Sequence, residues 1–325
     1  MRKFETDVNS QQTMAKDRWL YSKLLNVTSL VIAIVFIFAG LVKANDPLGM
    51  QYKLEDYAAV MGVSTDEFWM CAFAVLLAMV EFSTGVMLMM KQRVAVVAAL
   101  LMMVVMTPLS LWLALTDAVP DCGCFGDAIL LTNWQTLTKN IVLLVLCVLM
   151  MRHSRAWRWW KHTWIMVLPM LGVLILSLYS RYALPPVDFR PYHVGADINK
   201  MDTFFVEDVE RGDVTEELLH RAGYTYLLIA PRLETADESD FSDYNSLYRE
   251  CCNKEMPFYC VTASDENARE EWRKRTMAKY PFLSSDDTEL KTIVRSNPGL
   301  VVIKDGRVVA KYSHNDIPKE VIFNK

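Results

Sequence analysis

The sequence predicts an α-helical membrane bundle followed by an α/β domain, and three observations carry that prediction. Five apolar stretches fall between residues 24 and 179. Near residue 182 the composition changes to that of an ordinary globular domain. Beyond it, strand-type runs alternate with amphipathic helices and end in two alternating strands that meet at Asp305-Gly306. A length of 325 residues suits two domains, and the mild net charge of −4 points to no nucleic-acid partner.

The spans come first. Crossing a bilayer takes about 20 apolar residues, and Leu24–Val42, Phe68–Met90, Val94–Leu115, Trp134–Met151 and Trp164–Tyr179 reach or approach that length. Lys139 and Asn140 interrupt the fourth, where Lys139 can snorkel to the interface. Trp134, Trp160 and Trp164 stand at span ends, as interfacial anchors do. The first run follows a polar head and lacks a small-residue cleavage site, so it reads as a retained helix. The expected division is a cytoplasmic tail at 1–23, a four-helix membrane domain at 24–151 and a cytoplasmic loop with a fifth helix at 152–182. A periplasmic linker at 183–222 and the α/β domain at 223–325 follow.

Positive charge sets the orientation. Arg2, Lys3, Lys16, Arg18 and Lys23 precede the first span, Lys91 and Arg93 lie between the second and third, and Arg152, Arg155, Arg158 and Lys161 follow the fourth. The opposite loops hold only Lys43 and Lys53 in one case and no base in the other. The amino terminus is therefore expected inside, and five spans put the C-terminal domain outside. In a bacterium this is the inner membrane with the domain in the periplasm, where disulfides persist.

The loop after the third span reads "AVPDCGCFGDAILLTNWQ" and lies on the same outer face. Cys122 and Cys124 flank Gly123, which lets the backbone bend. Residues two apart have Cα atoms about 5.5–7 Å apart, overlapping the range a disulfide needs. A redox pair, a static bridge and two small residues in a turn all fit this spacing. Zinc would need two further ligands, which the outer loops do not supply: Cys147 is deep in a span, and His153 and His162 are on the inner side. No metal is expected. Thr132 and Gln135 form a capping box whose helix points its positive end at the loop, and Lys139 adds a charge favouring a thiolate.

Glu81, near the middle of the second span, is either a functional group that relays a proton or contacts a quinone, or a buried structural carboxyl, neutral or bonded to Ser83 or Thr84. Lys43 reads as an interfacial anchor. The many methionines, among them Met87, Met102 and Met106, show no ordered spacing on one face and read as packing rather than copper ligands.

"DCGCFGD" followed by "NWQTLTKNIVLL" resembles the signature of the MauE/DoxX-like membrane proteins, as do "FAGLVKANDPLG", "YKLEDYAAVMG" and "AMVEFSTGVMLM". The likeness covers roughly residues 24–151. The family is linked to periplasmic thiol chemistry and to quinone-linked oxidation of sulfur compounds, so the likeness implies a redox membrane protein, fixes no substrate, and makes a quinone the candidate cofactor.

In the last domain, "YTYLLIA" (224–230) and "PFYCVTA" (257–263) are strands, while residues 240–254, 265–280 and 284–296 are helices. "GLVVIKDGRVVAKYS" is a hairpin turning on Asp305 and Gly306. This order resembles a thioredoxin-like fold, and the likeness makes Pro298 the expected cis-proline. It departs from that fold in carrying no cysteine from Tyr224 to Glu250, where the exchange dithiol would stand. The domain's thiols are Cys251, Cys252 and Cys260, read as a bridge from one of the first two to Cys260 or as core thiols. Residues 232–240, "RLETADESD", read as a solvated loop.

The expected function is periplasmic thiol–disulfide exchange through Cys122 and Cys124, with Glu81 and Lys139 assisting. The outer domain would position a periplasmic protein client. The alternative is a membrane-anchored scaffold or assembly factor that uses the degenerate thioredoxin fold as a binding module.

Overall fold

The computed structural model describes residues 2–64, 66–154, 157 and 166–321. It divides into two compact units, Met1–Ser177 and Leu178–Lys325.

The first unit is helical: α1 (Arg2–Asn45), α2 (Pro47–Val60), α3 (Glu67–Met89), α4 (Arg93–Thr116), α5 (Asn133–His153) and α6 (Val167–Tyr182), whose last turns belong to the second unit. Four of these are long and apolar enough to cross a membrane: Lys23–Asn45 of α1, α3, α4 and Asn133–Arg152 of α5. This makes the chain a multi-pass membrane protein. α6 is apolar but only 16 residues long, shorter than the about 20 a span needs. Trp160 and Trp164, and the bases Arg155, Arg158 and Lys161, lie outside the described residues.

Each turn follows from local chemistry. Asp46 and Asp66 cap α2 and α3 by accepting hydrogen bonds from first-turn amides. Thr132 and Gln135 form the full capping box on α5. α1 and α3 approach backbone to backbone because Gly40 and Gly85 lie between them: a Cβ on Gly40 would meet the Phe82 nitrogen at 2.6 Å, and one on Gly85 the Ala33 carbonyl at 2.7 Å. α2 was not among the expected elements. Its Tyr57 packs with Leu113, Val119 and Cys122.

The second unit carries a seven-stranded sheet ordered β2-β1-β5-β4-β3-β6-β7. The strands are β1 (Glu207–Asp208), β2 (Gly212–Asp213), β3 (Tyr224–Ile229), β4 (Phe258–Thr262), β5 (Phe282–Ser284), β6 (Gly299–Lys304) and β7 (Arg307–Ser313). β3, β4 and β5 run parallel, β6 pairs antiparallel with β3, and β7 pairs antiparallel with β6. Strand alternation builds two cores. Tyr226, Leu228, Cys260 and Leu300 pack on one face with α8 (Phe241–Asn253) and α9 (Glu266–Thr276). Leu227, Ile229, Val261 and Val301 pack on the other with α7 (Thr215–Leu219) and α10 (Asp287–Ile293).

Two expectations change here. Residues 183–222 do not behave as a linker, because Tyr192, Ile198, Phe204, Val206 and Leu218 are buried in the second core. Apolar side chains at those places close a sheet face that would otherwise be wet. The 232–240 stretch is not simply solvated either: Leu233 is fully buried, its amide donates to Ser264 Oγ, and the Asp237 amide donates to the Asn297 carbonyl.

Candidate functional site

The loop between α4 and α5 is held in place from every side. Asn133 donates to the Asp117 carboxylate and the Val119 carbonyl, closing its base. The Asp121 carboxylate accepts from the Gly123 amide at 2.8 Å and pairs with Lys53 of α2 at 2.7 Å. Gly123 has φ +66°, the left-handed region that glycine enters freely, and a Cβ there would press on the Lys53 side chain. Tyr57 donates its hydroxyl to the Cys122 carbonyl at 3.1 Å.

That bend brings the two sulfurs together. Cys122 Sγ and Cys124 Sγ lie 2.7 Å apart as free thiols, so a bond of about 2.05 Å needs only a small movement. Cys122 is buried among Tyr57, Leu113 and Val119, whereas Cys124 is half-buried. Burial and the hydrogen bond to Cys124 hold the Cys122 thiol protonated to high pH, the hydrogen bond being the larger cause. Cys124 is pulled the other way, first by the hydrogen bond from Cys122 and then by the ammonium groups of Lys139 and Lys43.

Lys43 is not an interfacial anchor. Its side chain is buried, donates to Glu81 Oε2 at 2.7 Å and donates to the Cys124 carbonyl at 2.8 Å. Glu81 is therefore bonded to Lys43, not to Ser83 or Thr84; in apolar surroundings a carboxylate stays charged only beside such a partner. The close α1–α3 packing at Gly40 and Gly85 brings the two residues together. Lys139 places its ammonium 4.3 Å from the centre of the Phe125 ring, beside the cysteine loop. Asn140 donates to Ser110 Oγ and the Met106 carbonyl of α4, so its polarity is absorbed between helices.

Behind the loop, inside the bundle, is a cavity of about 230 Å³. Its walls are mostly apolar, with Phe36, Met103 and Leu143 among them, and Lys43, Glu81 and both thiols line it. Sequence reasoning named Cys122, Cys124, Gly123, Glu81 and Lys139. It missed Lys43, Lys53 and Tyr57 as their partners, and the signal for the first was a second buried charge one helix away from Glu81.

The other expected residues lie in the second unit. Asn297–Pro298 is a cis peptide. Asp305 and Gly306 both have positive φ, +49° and +72°, as a tight hairpin turn requires. Cys251 and Cys260 are buried core thiols and Cys252 is exposed; no bridge joins them. Among the described residues, no group of three or more His, Cys, Asp or Glu is placed to hold a metal ion.

The comparisons with known proteins bear on the first unit alone. Residues 21–153 match the family model described as Methylamine utilisation protein MauE. The match covers the four long helices and the cysteine loop. No curated protein and no solved structure matches the chain.

Proposed function

We propose that the membrane unit carries out thiol–disulfide exchange through Cys122 and Cys124. The observation that carries this reading is the pair of sulfurs 2.7 Å apart, opening on an apolar cavity inside the bundle. Two electrons released when the pair closes into a disulfide need an acceptor. A cavity with apolar walls suits a lipid-soluble one, and a quinone has that chemistry: it takes two electrons and two protons to become a quinol. Lys43, Glu81 and Lys139 are the groups near enough to hold or move those protons. In this reading α6 belongs to a fifth span, the cysteine loop faces the periplasm and the α/β domain lies outside the inner membrane. That domain is thioredoxin-like. Its support is the order β4-β3-β6-β7, with one parallel and two antiparallel pairs, and the cis-proline before β6. Its role is to position a periplasmic protein client.

The test is thiol trapping of the intact protein in its own membrane, with and without reductant. Exchange requires that the Cys122–Cys124 pair be oxidised in one state and open in the other. A pair found permanently reduced, or a Cys122→Ser/Cys124→Ser variant that supports growth and client oxidation unchanged, rejects it.

A specific observation favours a second reading, a membrane-anchored scaffold or assembly factor. The α/β domain has no cysteine at the end of β3 and keeps Cys251 and Cys260 shut in its core, so it cannot exchange thiols in the usual place. A helical membrane bundle with an α/β domain is all that the scaffold needs, whereas exchange also requires the thiol pair to cycle. A stoichiometric complex that survives the double serine variant would select the scaffold.

A further inference from the structure

We propose that the two thiols have separate roles: Cys124 forms the bond to the substrate sulfur, and Cys122 is the resolving thiol that displaces it. This rests on the exchange reading above and deepens it. Access is the first argument. Cys122 is only 6% exposed, with Tyr57, Leu113 and Val119 packed around it and its carbonyl tied to the Tyr57 hydroxyl. Cys124 is half-buried and so more open to an incoming sulfur.

Charge is the second argument. On the α1 side the Lys43 ammonium sits 2.8 Å from the Cys124 carbonyl and is paired at 2.7 Å with Glu81 of α3. On the α5 side Lys139 lies over the ring of the next residue, Phe125, and among the described residues it makes no ion pair. From α2, Lys53 is neutralised by Asp121, and Tyr57 meets Cys122 instead. That leaves the Lys139 ammonium as the cation beside Cys124 outside an ion pair, which favours a thiolate there and agrees with the direction of its pKa.

The reaction with a substrate disulfide then balances as follows. The Cys124 thiolate attacks one substrate sulfur; a Cys124–substrate S–S bond forms, the substrate S–S bond breaks and the other substrate half leaves as a thiolate that takes up a proton. Cys122 then attacks Cys124 Sγ; the Cys122–Cys124 bond forms, the Cys124–substrate bond breaks, and the first substrate half leaves as a thiolate that takes up the proton Cys122 gives up. Two electrons have passed from the pair to the substrate. Oxidation of a client dithiol runs through the same mixed disulfide in reverse.

The experiment uses the full-length protein, reduced, in lipid nanodiscs, with dithiobis-nitrobenzoate as the disulfide probe and mass spectrometry to locate the adduct. Cys122→Ser is expected to accumulate a mixed disulfide on Cys124. Cys124→Ser is expected to react at Cys122 at least about tenfold more slowly, because each pKa unit lowers the thiolate fraction about tenfold. In the Cys122→Ser background, Lys43→Gln should move the pH midpoint of Cys124 alkylation up by about one unit. Lys139→Gln gives the same readout if Lys43→Gln does not accumulate. A stable adduct on Cys122 instead of Cys124, or a midpoint unmoved by either lysine variant, overturns the assignment. If the wild-type protein forms no Cys122–Cys124 disulfide on reaction, the exchange reading itself fails; if it does and the adduct is on Cys122, only the roles fail.

Discussion

Cysteine is handled differently in the two units of this chain. In the membrane unit, Cys122 and Cys124 sit in a loop tied down by Asn133, Asp121, Lys53 and Tyr57, with sulfur facing sulfur and cations nearby. In the α/β unit, Cys251 and Cys260 are sealed in a core with Tyr244, Trp272 and Leu300, and burial pushes the Cys251 thiol up to about 12. A thiol is reactive through its thiolate. Under the proposed exchange the same element serves chemistry in one place and packing in the other, and the difference lies in solvent, charge and backbone shape rather than in residue type.

The most decisive way to break this comparison is to remove each set of thiols in turn. Cys122→Ser/Cys124→Ser should abolish the reductant-dependent change seen by thiol trapping, while Cys251→Ala/Cys260→Ala should leave that change in place. Loss of the change in the second variant, with the α/β unit still folded, would put the reactive thiols in the wrong unit.

Next in size is the buried Lys43–Glu81 pair. Removing one partner leaves an uncompensated charge among apolar helices, so Lys43→Met should destabilise the membrane unit by about 3–5 kcal/mol. Lys43→Met/Glu81→Met should recover most of that loss, read as the denaturation midpoint in detergent. Equal losses from single and double variants would show that the two residues do not act as a pair.

A smaller effect belongs to the core thiols. Cys260→Ala empties space on β4 that neighbouring side chains fill only in part, and should cost about 1–2 kcal/mol. Hydrogen exchange of the β3 and β4 amides in the intact protein would report it, and the membrane unit's midpoint should not move.

The last effect is a pH dependence and concerns Lys311. Its buried ammonium is shared with Asp188 beside Arg190, and burial lowers its pKa from 10.5 to about 8. Between those values the unfolded chain keeps a proton that the folded one has lost, so stability of the α/β unit should rise with pH from about 8 towards 10.5. Below about 8 both states are protonated and the burial cost is fully present. Lys311→Met should flatten that rise; an unchanged slope would assign it to another group.

Much of the fold was legible in the sequence because it rests on short-range pattern. Apolar runs of span length, the Thr132–Gln135 box, the Asp305-Gly306 turn and the β3, β4 and β6 alternation depend on neighbours a few residues away. The segment 183–222 was misread for the opposite reason: Pro185, Pro186 and Pro191 announce irregular backbone, and nothing local says that Tyr192, Phe204 and Val206 will close a distant sheet face. α2 was missed because its mixed polar and apolar surface makes sense only beneath the cysteine loop.

At the candidate site, sequence alone supplied the candidate groups: two thiols flanking a glycine, a carboxyl in a span and a lysine near a helix start. Tertiary structure decided what surrounds them. Lys43 and Glu81 are 38 residues apart, and Lys43 reaches Cys124 across 81. Those distances in sequence close only when two glycine-bearing helices pack tightly. The strength of a charge in apolar surroundings depends on which partner lies within about 3 Å, and one-dimensional order does not contain that information.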